Sequence, residues 1–153
     1  MKSWRGFTHV SYQKKRITNE KFEKKERGIW KKKRNPIAII VTRFGDIKVE
    51  LYPKEAPNTV NCFISLAKKG LFDYRKIRRI APGFVLQPSY SDFEDERCAI
   101  SLDGEYRNNG FPNDIPFERG TVAMGGEGNV ASGSCFFITL TDEAGKRLDG
   151  GYA

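Results

Sequence analysis

The sequence predicts a mainly-β fold, an antiparallel barrel or sandwich that is capped by one helix and preceded by a basic arm. Three observations lead to this prediction. Short β-type runs recur after residue 36, one stretch has the apolar spacing of an amphipathic helix, and the excess of basic residues ends at Pro36. Many short strands with a single helix are typical of an antiparallel sheet that the helix covers.

Residues 1–36 are predicted to form a separate, flexible basic extension. They hold 13 of the 27 Lys and Arg residues and 3 of the 19 Asp and Glu residues, so their net charge is +10 and that of residues 37–153 is −2. Apolar residues are few, and the pairs Glu20–Lys24 and Glu23–Arg27 give a helix only weak support. We expect a disordered segment or a frayed helix up to Pro36.

The domain predicted for residues 37–153 opens with a β-hairpin. Residues 37–42 are a β-branched run, and residues 47–51 alternate between apolar and charged side chains. Such alternation is typical of a strand with one buried face. Phe44, Gly45 and Asp46 lie between the two runs and supply the reversal.

A helix follows the hairpin. Apolar residues at i, i+3, i+4 and i+7 form one stripe, and they are Val60, Phe63, Ile64 and Ala67. Pro57 suits the first helical position, and Gly70 can end the helix in a left-handed conformation. Further strands are predicted at residues 83–87, 98–102, 121–124 and 135–140.

Composition excludes several classes of protein. No apolar run reaches the roughly 18 residues of a membrane-spanning helix, and no secretory signal is recognisable. Cys62, Cys98 and Cys135 form no CxxC pair, and His9 is the only histidine. We therefore expect no metal and no cofactor, and thiols in a cytoplasmic setting.

Four motifs resemble the cyclophilin family of peptidyl-prolyl cis/trans isomerases. Residues 77–87, Ile-Arg-Arg-Ile-Ala-Pro-Gly-Phe-Val-Leu-Gln, are similar to the family's Phe-His-Arg-Val-Ile-Pro-Gly-Phe-Met-Ile-Gln. Residues 132–138, Ser-Gly-Ser-Cys-Phe-Phe-Ile, are similar to its Gly-Ser-Gln-Phe-Phe-Ile. The hairpin with the helix opening Ala-Pro-Asn-Thr-Val precedes them, and Leu-Asp-Gly at residues 148–150 follows. The resemblance covers residues 37–153 and implies an eight-stranded antiparallel barrel with a proline-binding groove.

The resemblance also implies roles for particular residues. Arg79 matches the catalytic arginine, and Gln87 matches the glutamine that helps to orient it. The remaining positions match the substrate-binding groove, and they are Phe84, Val85, Gly125, Gly126, Cys135, Phe137, Leu148 and Tyr152. The implied activity is isomerisation of X–Pro bonds in peptides and folding proteins. Such a reaction breaks no bond and requires neither nucleophile nor metal.

Several of these positions depart from the family pattern. Gly125 and Gly126 stand where members usually have Ala-Asn, Cys135 replaces a glutamine, and Pro88 replaces a glycine. Tyr152 stands where many members have a histidine, and it can supply a similar aromatic wall. These changes leave open a second interpretation, a non-catalytic module that binds proline-containing peptides.

Three interpretations of residues 1–36 stay open: a solvated extension or mistaken start site, RNA or ribosome contact, and contact with an anionic membrane surface. Basic clusters interleaved with aromatic side chains favour the second over the third. We expect unfolded or nascent proteins as further partners, and a monomer. We also expect that this chain is part of a longer protein, because the family's domain continues beyond Leu-Asp-Gly, and that alone it is at best marginally folded.

Overall fold

The computed structural model describes residues 8–12, as backbone, and residues 35–89 and 92–153. The elements in chain order are β1 (Thr8–Tyr12), β2 (Ile37–Thr42), β3 (Gly45–Glu50), α1 (Pro57–Lys68), β4 (Arg79–Ala81), β5 (Val85–Gln87), β6 (Ser101–Asp103), β7 (Val122–Glu127), β8 (Val130–Thr139) and α2 (Asp142–Leu148). The strands form two antiparallel sheets, so the predicted mainly-β class is confirmed. Within these ranges, no helix is long and apolar enough to cross a membrane.

The first sheet contains the predicted hairpin. β2 and β3 pair from Ile37 opposite Glu50 to Thr42 opposite Gly45, so the connection is the two residues Arg43 and Phe44. Gly45, which we placed within the turn, opens β3 instead, and its φ of +121° is one that favours glycine. The hydroxyl of Thr42 closes the turn by donating to the Gly45 carbonyl at 2.8 Å.

β1 lies inside residues 1–36, and here the structure differs from the expected disorder or frayed helix. It pairs with the other edge of β2, from Thr8 opposite Thr42 to Tyr12 opposite Ala38. The unpaired donors and acceptors of a strand edge attract any extended chain that can reach them. The segment around Glu20–Arg27, where a frayed helix was expected, lies outside the described residues.

Helix α1 has the predicted bounds and packs its apolar stripe on the main core. Phe63 stacks on Phe72 with ring centroids 5.0 Å apart and meets the edge of Phe136 at 5.8 Å. The chain leaves the helix through Lys69 and then Gly70, whose φ is +70° as its position predicts. These contacts hold α1 against β8.

Strand β8 is the centre of the second sheet. β7 runs along one edge of β8, while β6 and then β5 pair with its other edge, and β4 pairs with β5. The predicted strand at 98–102 begins only at Ser101. A 3-10 turn precedes it, because the carboxylate of Asp95 accepts the backbone N–H of Arg97 and so starts a turn.

The two faces of β8 carry different clusters. Phe136 belongs to the main core with α1, whereas Phe137 packs in a smaller cluster with Val85 and Ala123. Successive side chains of a strand point to opposite faces, so the two neighbouring phenylalanines are separated in this way. Helix α2, which the sequence analysis missed, begins where Thr141 accepts the backbone N–H of Ala144 and brings Leu148 to the smaller cluster.

Candidate active site

All ten residues that the resemblance implicated surround one cavity of about 490 Å³. It lies on the outer face of the second sheet and contains, in chain order, Arg79, Phe84, Val85, Gln87, Gly125, Gly126, Cys135, Phe137, Leu148 and Tyr152. Eight of them come from β4, β5, β7, β8 and the end of α2, whereas Phe84 lies in the turn before β5 and Tyr152 follows α2. The antiparallel pairing of these strands makes the set contiguous.

The centre of the cavity is a chain of hydrogen bonds. Arg79 and Gln87 are cross-strand partners on β4 and β5, so their side chains share a face. Nη1 of Arg79 donates to Oε1 of Gln87 at 3.0 Å. Nε2 of Gln87 in turn donates to Sγ of Cys135 at 3.2 Å, and that thiol donates to the Ser89 carbonyl at 2.9 Å. The guanidinium is therefore positioned by a buried glutamine whose own amide group is fixed at both ends.

One end of the cavity is apolar and aromatic. The ring of Phe137 meets the edge of Tyr152 at 5.1 Å between centroids. Leu148 and the half-buried Phe84 complete this wall, and the guanidinium carbon of Arg79 lies 5.9 Å from the Phe84 ring centroid. A small cyclic apolar group that enters here contacts aromatic faces while it lies beside a cation.

A network of charges supports the loop that follows β5. Arg75 donates to Asp95 at 2.7 Å, and Arg97 binds the same carboxylate from the other side. Hydrogen bonds from Arg97 and then from Arg75 hold the pKa of Asp95 well below its ordinary value. The hydroxyl of Ser89 accepts the backbone N–H of Phe93 at 3.2 Å, so this charged loop also fixes the residue whose carbonyl receives the Cys135 thiol.

The other end of the cavity, which we call its polar end, combines three polar residues with two aliphatic ones, and sequence reasoning missed all five. They are Ile100, Ser101, Glu127, Val130 and Ser132. Glu127 and Val130 follow the Gly125-Gly126 pair within one hairpin, a proximity that could have signalled them. No sequence signal marks Ile100 or Ser101, which reach the groove only because β6 pairs with β8.

The fold is a mainly-β one with a groove on the outer face of its second sheet, and comparison with known families identifies its class. A sequence model described as cyclophilin type peptidyl-prolyl cis-trans isomerase/CLD matches residues 37–153. The chain therefore belongs to the cyclophilin-type family, as the motifs predicted.

Particular relatives agree with this assignment. The chain is 36% identical over 121 residues to the peptidyl-prolyl isomerase cwc27 of Rhizopus delemar, which covers 74% of this chain and 22% of that protein. It is 38% identical over 107 residues to the peptidyl-prolyl cis-trans isomerase CYP57 of Arabidopsis thaliana, covering 67% and 20%. The chain thus spans about a fifth of these relatives' length. The crystal structure of a Cryptosporidium parvum cyclophilin-type isomerase in the presence of the dipeptide Ala-Pro matches with a TM-score of 0.58 at 25% identity, over 76% of this chain and 74% of that one.

Proposed function

We propose that this protein is a peptidyl-prolyl cis/trans isomerase that accelerates rotation about X–Pro bonds in peptides and folding proteins. The observation that supports it is the Arg79 guanidinium, which Gln87 holds beside an apolar aromatic pocket. A proline ring fits such a pocket, and its nitrogen then lies within reach of a cationic donor. The family assignment of residues 37–153 agrees with this chemistry.

The proposed mechanism is preferential stabilisation of the twisted amide. Rotation about a peptide bond crosses a barrier of about 18–20 kcal/mol, because resonance with the carbonyl keeps the nitrogen planar. In the twisted state the proline nitrogen regains its lone pair and can accept a hydrogen bond from Arg79. That bond is weak in the planar ground state, so it lowers the barrier rather than only strengthening binding.

The pocket and the polar chain have separate tasks in this mechanism. Phe84, Phe137 and Tyr152 grip the proline ring while the preceding residue turns. Gln87 fixes the direction of the guanidinium, so that the donor is in place before the substrate rotates. No covalent bond is made or broken, so the proposed reaction needs no catalytic group other than these side chains.

Replacing Arg79 by alanine tests the proposal directly. We expect kcat/KM for an Ala-Pro peptide, measured by NMR exchange, to fall at least about tenfold, which corresponds to about 1.4 kcal/mol. The neighbouring Arg78 is a matched control, because it is exposed and pairs with Glu94 at 3.0 Å outside the cavity. Arg78→Ala should therefore retain activity, and equal losses in the two variants would contradict the role of Arg79.

A second candidate function is binding without catalysis. It is favoured by Gly125, Gly126 and Cys135, which alter the groove relative to the family pattern. A wild-type chain that binds the Ala-Pro peptide with no acceleration of its exchange would establish this alternative and would contradict the first proposal.

We extend the proposal to partners and location. Unfolded or nascent chains that expose X–Pro bonds would be the substrates, in a reducing, cytoplasmic setting and with the protein as a monomer. All three cysteines lie in the described ranges and each is a thiol rather than half of a disulfide, which suits such a setting. The net charge of +10 on residues 1–36 favours contact with RNA or ribosomes through that segment.

A further inference from the structure

The polar end of the cavity carries an acidic row that the proposed mechanism does not use. Val130 of β8 pairs with Glu127 of β7 on one side and with Asp103 of β6 on the other. Cross-strand partners project their side chains from the same face of a sheet. Since Glu127 and Val130 line the cavity, Asp103 lies on the cavity's face as well.

Both carboxylates of this row are open to solvent. In the part of the chain that the structure describes, neither of these two side-chain carboxylates has a hydrogen-bond or ion-pair partner. Two like charges flanking one valine create a local negative potential, which attracts a cation. Arg79, the cation of the same cavity, is bound instead to Gln87 at the centre.

The surroundings of the acidic row suit a long side chain better than a bare ion. Ile100 and the 45% exposed Val130 provide aliphatic surface next to the carboxylates. Lysine and arginine side chains bury an apolar stem and keep a charged head in a polar setting. Gly125 and Gly126 carry no side chains, so the groove stays open between this end and its centre.

The row is also held in place by the loop after β6. Tyr106 donates its hydroxyl hydrogen to the carbonyl of Gly128 at the tip of the β7–β8 hairpin. The backbone N–H of Gly104 donates to the carbonyl of Asn129 at 2.8 Å. These bonds tie the hairpin that carries Glu127 to the strand end that carries Asp103, so the two carboxylates keep their spacing.

We propose that the acidic row of Asp103 and Glu127 around Val130 binds a lysine or arginine side chain of the substrate, within a few residues of the isomerised proline. The inference rests on the proposed function and narrows its substrate class to proline-containing segments with a nearby basic residue. The basic residue lies away from Arg79, whose charge would repel it, and reaches the opposite end of the same groove.

A peptide scan with the full chain tests this proposal. Each position from three before to three after a single proline carries lysine, norleucine or glutamate in turn, and kcat/KM is measured by NMR exchange. Norleucine has an apolar stem of similar length without the charge. We expect lysine to exceed norleucine by about two- to fivefold at one position or two adjacent ones, and glutamate to fall below both. The preference should shrink at high salt, which screens exposed charges.

Charge-removing variants assign the effect to the acidic row. Glu127→Gln and Asp103→Asn should each lower the ratio of the lysine peptide to the norleucine peptide. Glu96→Gln, which removes the same charge at an exposed position outside the cavity, should leave the ratio unchanged. A ratio of one at every position, or equal effects of Glu127→Gln and Glu96→Gln, would overturn the proposal.

The affinities of the same peptides, measured by NMR titration, separate this inference from the proposed function. If no peptide is accelerated, the isomerase proposal fails, and the ratio of the lysine and norleucine dissociation constants still decides whether the row binds a cation. If acceleration occurs without any difference in rate or affinity between the two peptides, the isomerase stands and the acidic row is excluded as a specificity site.

Discussion

Cys135 occupies the floor of the groove at the point where the polar chain and the apolar wall meet. It is 4% exposed, and its Sγ both accepts from Gln87 and donates to the Ser89 carbonyl. A serine hydroxyl can make the same two bonds, whereas a valine of similar size can make neither. Through Gln87, this side chain acts on the direction of Arg79.

Substitutions of Cys135 should therefore act on kcat more than on KM. We expect Cys135→Val to lower kcat by about three- to tenfold, which corresponds to about 0.7–1.4 kcal/mol. Cys135→Ser should restore most of it, because the serine hydroxyl again accepts from Gln87. Saturation kinetics by NMR exchange separate kcat from KM for each variant.

Cys62 offers a matched control for these variants. Its thiol donates to the Gly133 carbonyl at 3.6 Å, it does not line the cavity, and burial raises its pKa. Cys62→Val should keep the wild-type kcat. If Cys135→Val and Cys135→Ser behave alike, the thiol does not position the arginine.

The sequence could predict the identities of the central residues and not their arrangement. Arg79 and Gln87 stand out because an eleven-residue motif surrounds them. The hydrogen bond from Gln87 to Cys135 joins two residues that are 48 positions apart in the chain, and no local pattern encodes this contact. Glu127 was missed because one acidic residue beside a turn is ordinarily solvated.

Helix α1 begins with a buried carboxylate rather than with a local cap. Ala56 at the N-cap position supplies no side-chain hydrogen bond. Glu105, which is 2% exposed, accepts the backbone N–H of Asn58 through Oε1 at 3.0 Å and that of Thr59 through Oε2 at 2.9 Å. A negative charge at this end of a helix also complements the helix dipole. The loop after β6 is thereby fixed to α1.

Glu105→Gln should destabilise the fold without altering the groove. A glutamine has one acceptor oxygen, so its NH₂ group faces one of the two N–H donors of α1. We expect the free energy of unfolding to fall by about 1–3 kcal/mol in urea denaturation. Glu96→Gln is the control, since Glu96 is exposed and should change stability little. A Glu105 variant as stable as this control would contradict the capping role.

The β2–β3 hairpin and α1 were predicted from periodic apolar patterns, which β4 and α2 lack, although α2 does begin with a capping threonine. The β2–β3 hairpin and α1 show clear period-two and helical patterns. β4 has three residues, too few for any period. α2 contains Gly145, and a glycine within a short segment lowers its predicted tendency to form a helix. In the structure the glycine is required, because a side chain at this position would collide with the Phe117 carbonyl. Close packing of the helix on a neighbouring loop explains the glycine.

At the scale of the whole molecule, strand β8 separates the main core from the groove. The face with Phe136 is closed by α1 and forms the main core, whereas the face with Phe137 opens into the groove. Stability and recognition are thus supplied by opposite faces of one strand. The groove lies on a sheet whose other face is supported by the large main core. Substitutions of groove residues can therefore alter activity while the fold persists.

Positive charge is concentrated in the N-terminal extension of the chain. Residues 1–36 carry a net charge of +10 and residues 37–153 one of −2, so a polyanion should bind through the extension. Each neutralised phosphate releases counterions, which makes such binding steeply dependent on salt. Isomerisation by the proposed mechanism, in contrast, depends on apolar contacts and one hydrogen-bonded cation. Polyanion binding should therefore weaken steeply as the salt concentration rises, whereas isomerase activity should change little.

Replacing Lys31, Lys32, Lys33 and Arg34 by glutamine tests this separation. The slope of log affinity against log salt for a single-stranded RNA, measured by fluorescence anisotropy, should become shallower by up to about 0.7 for each phosphate that the variant no longer neutralises. kcat/KM for a neutral Ala-Pro peptide should stay unchanged. The control replaces four exposed lysines of the domain, Lys48, Lys54, Lys76 and Lys146, and should leave the slope as it was. RNA binding that ignores salt, or equal slopes in the two variants, would show that the extension is not the polyanion-binding segment.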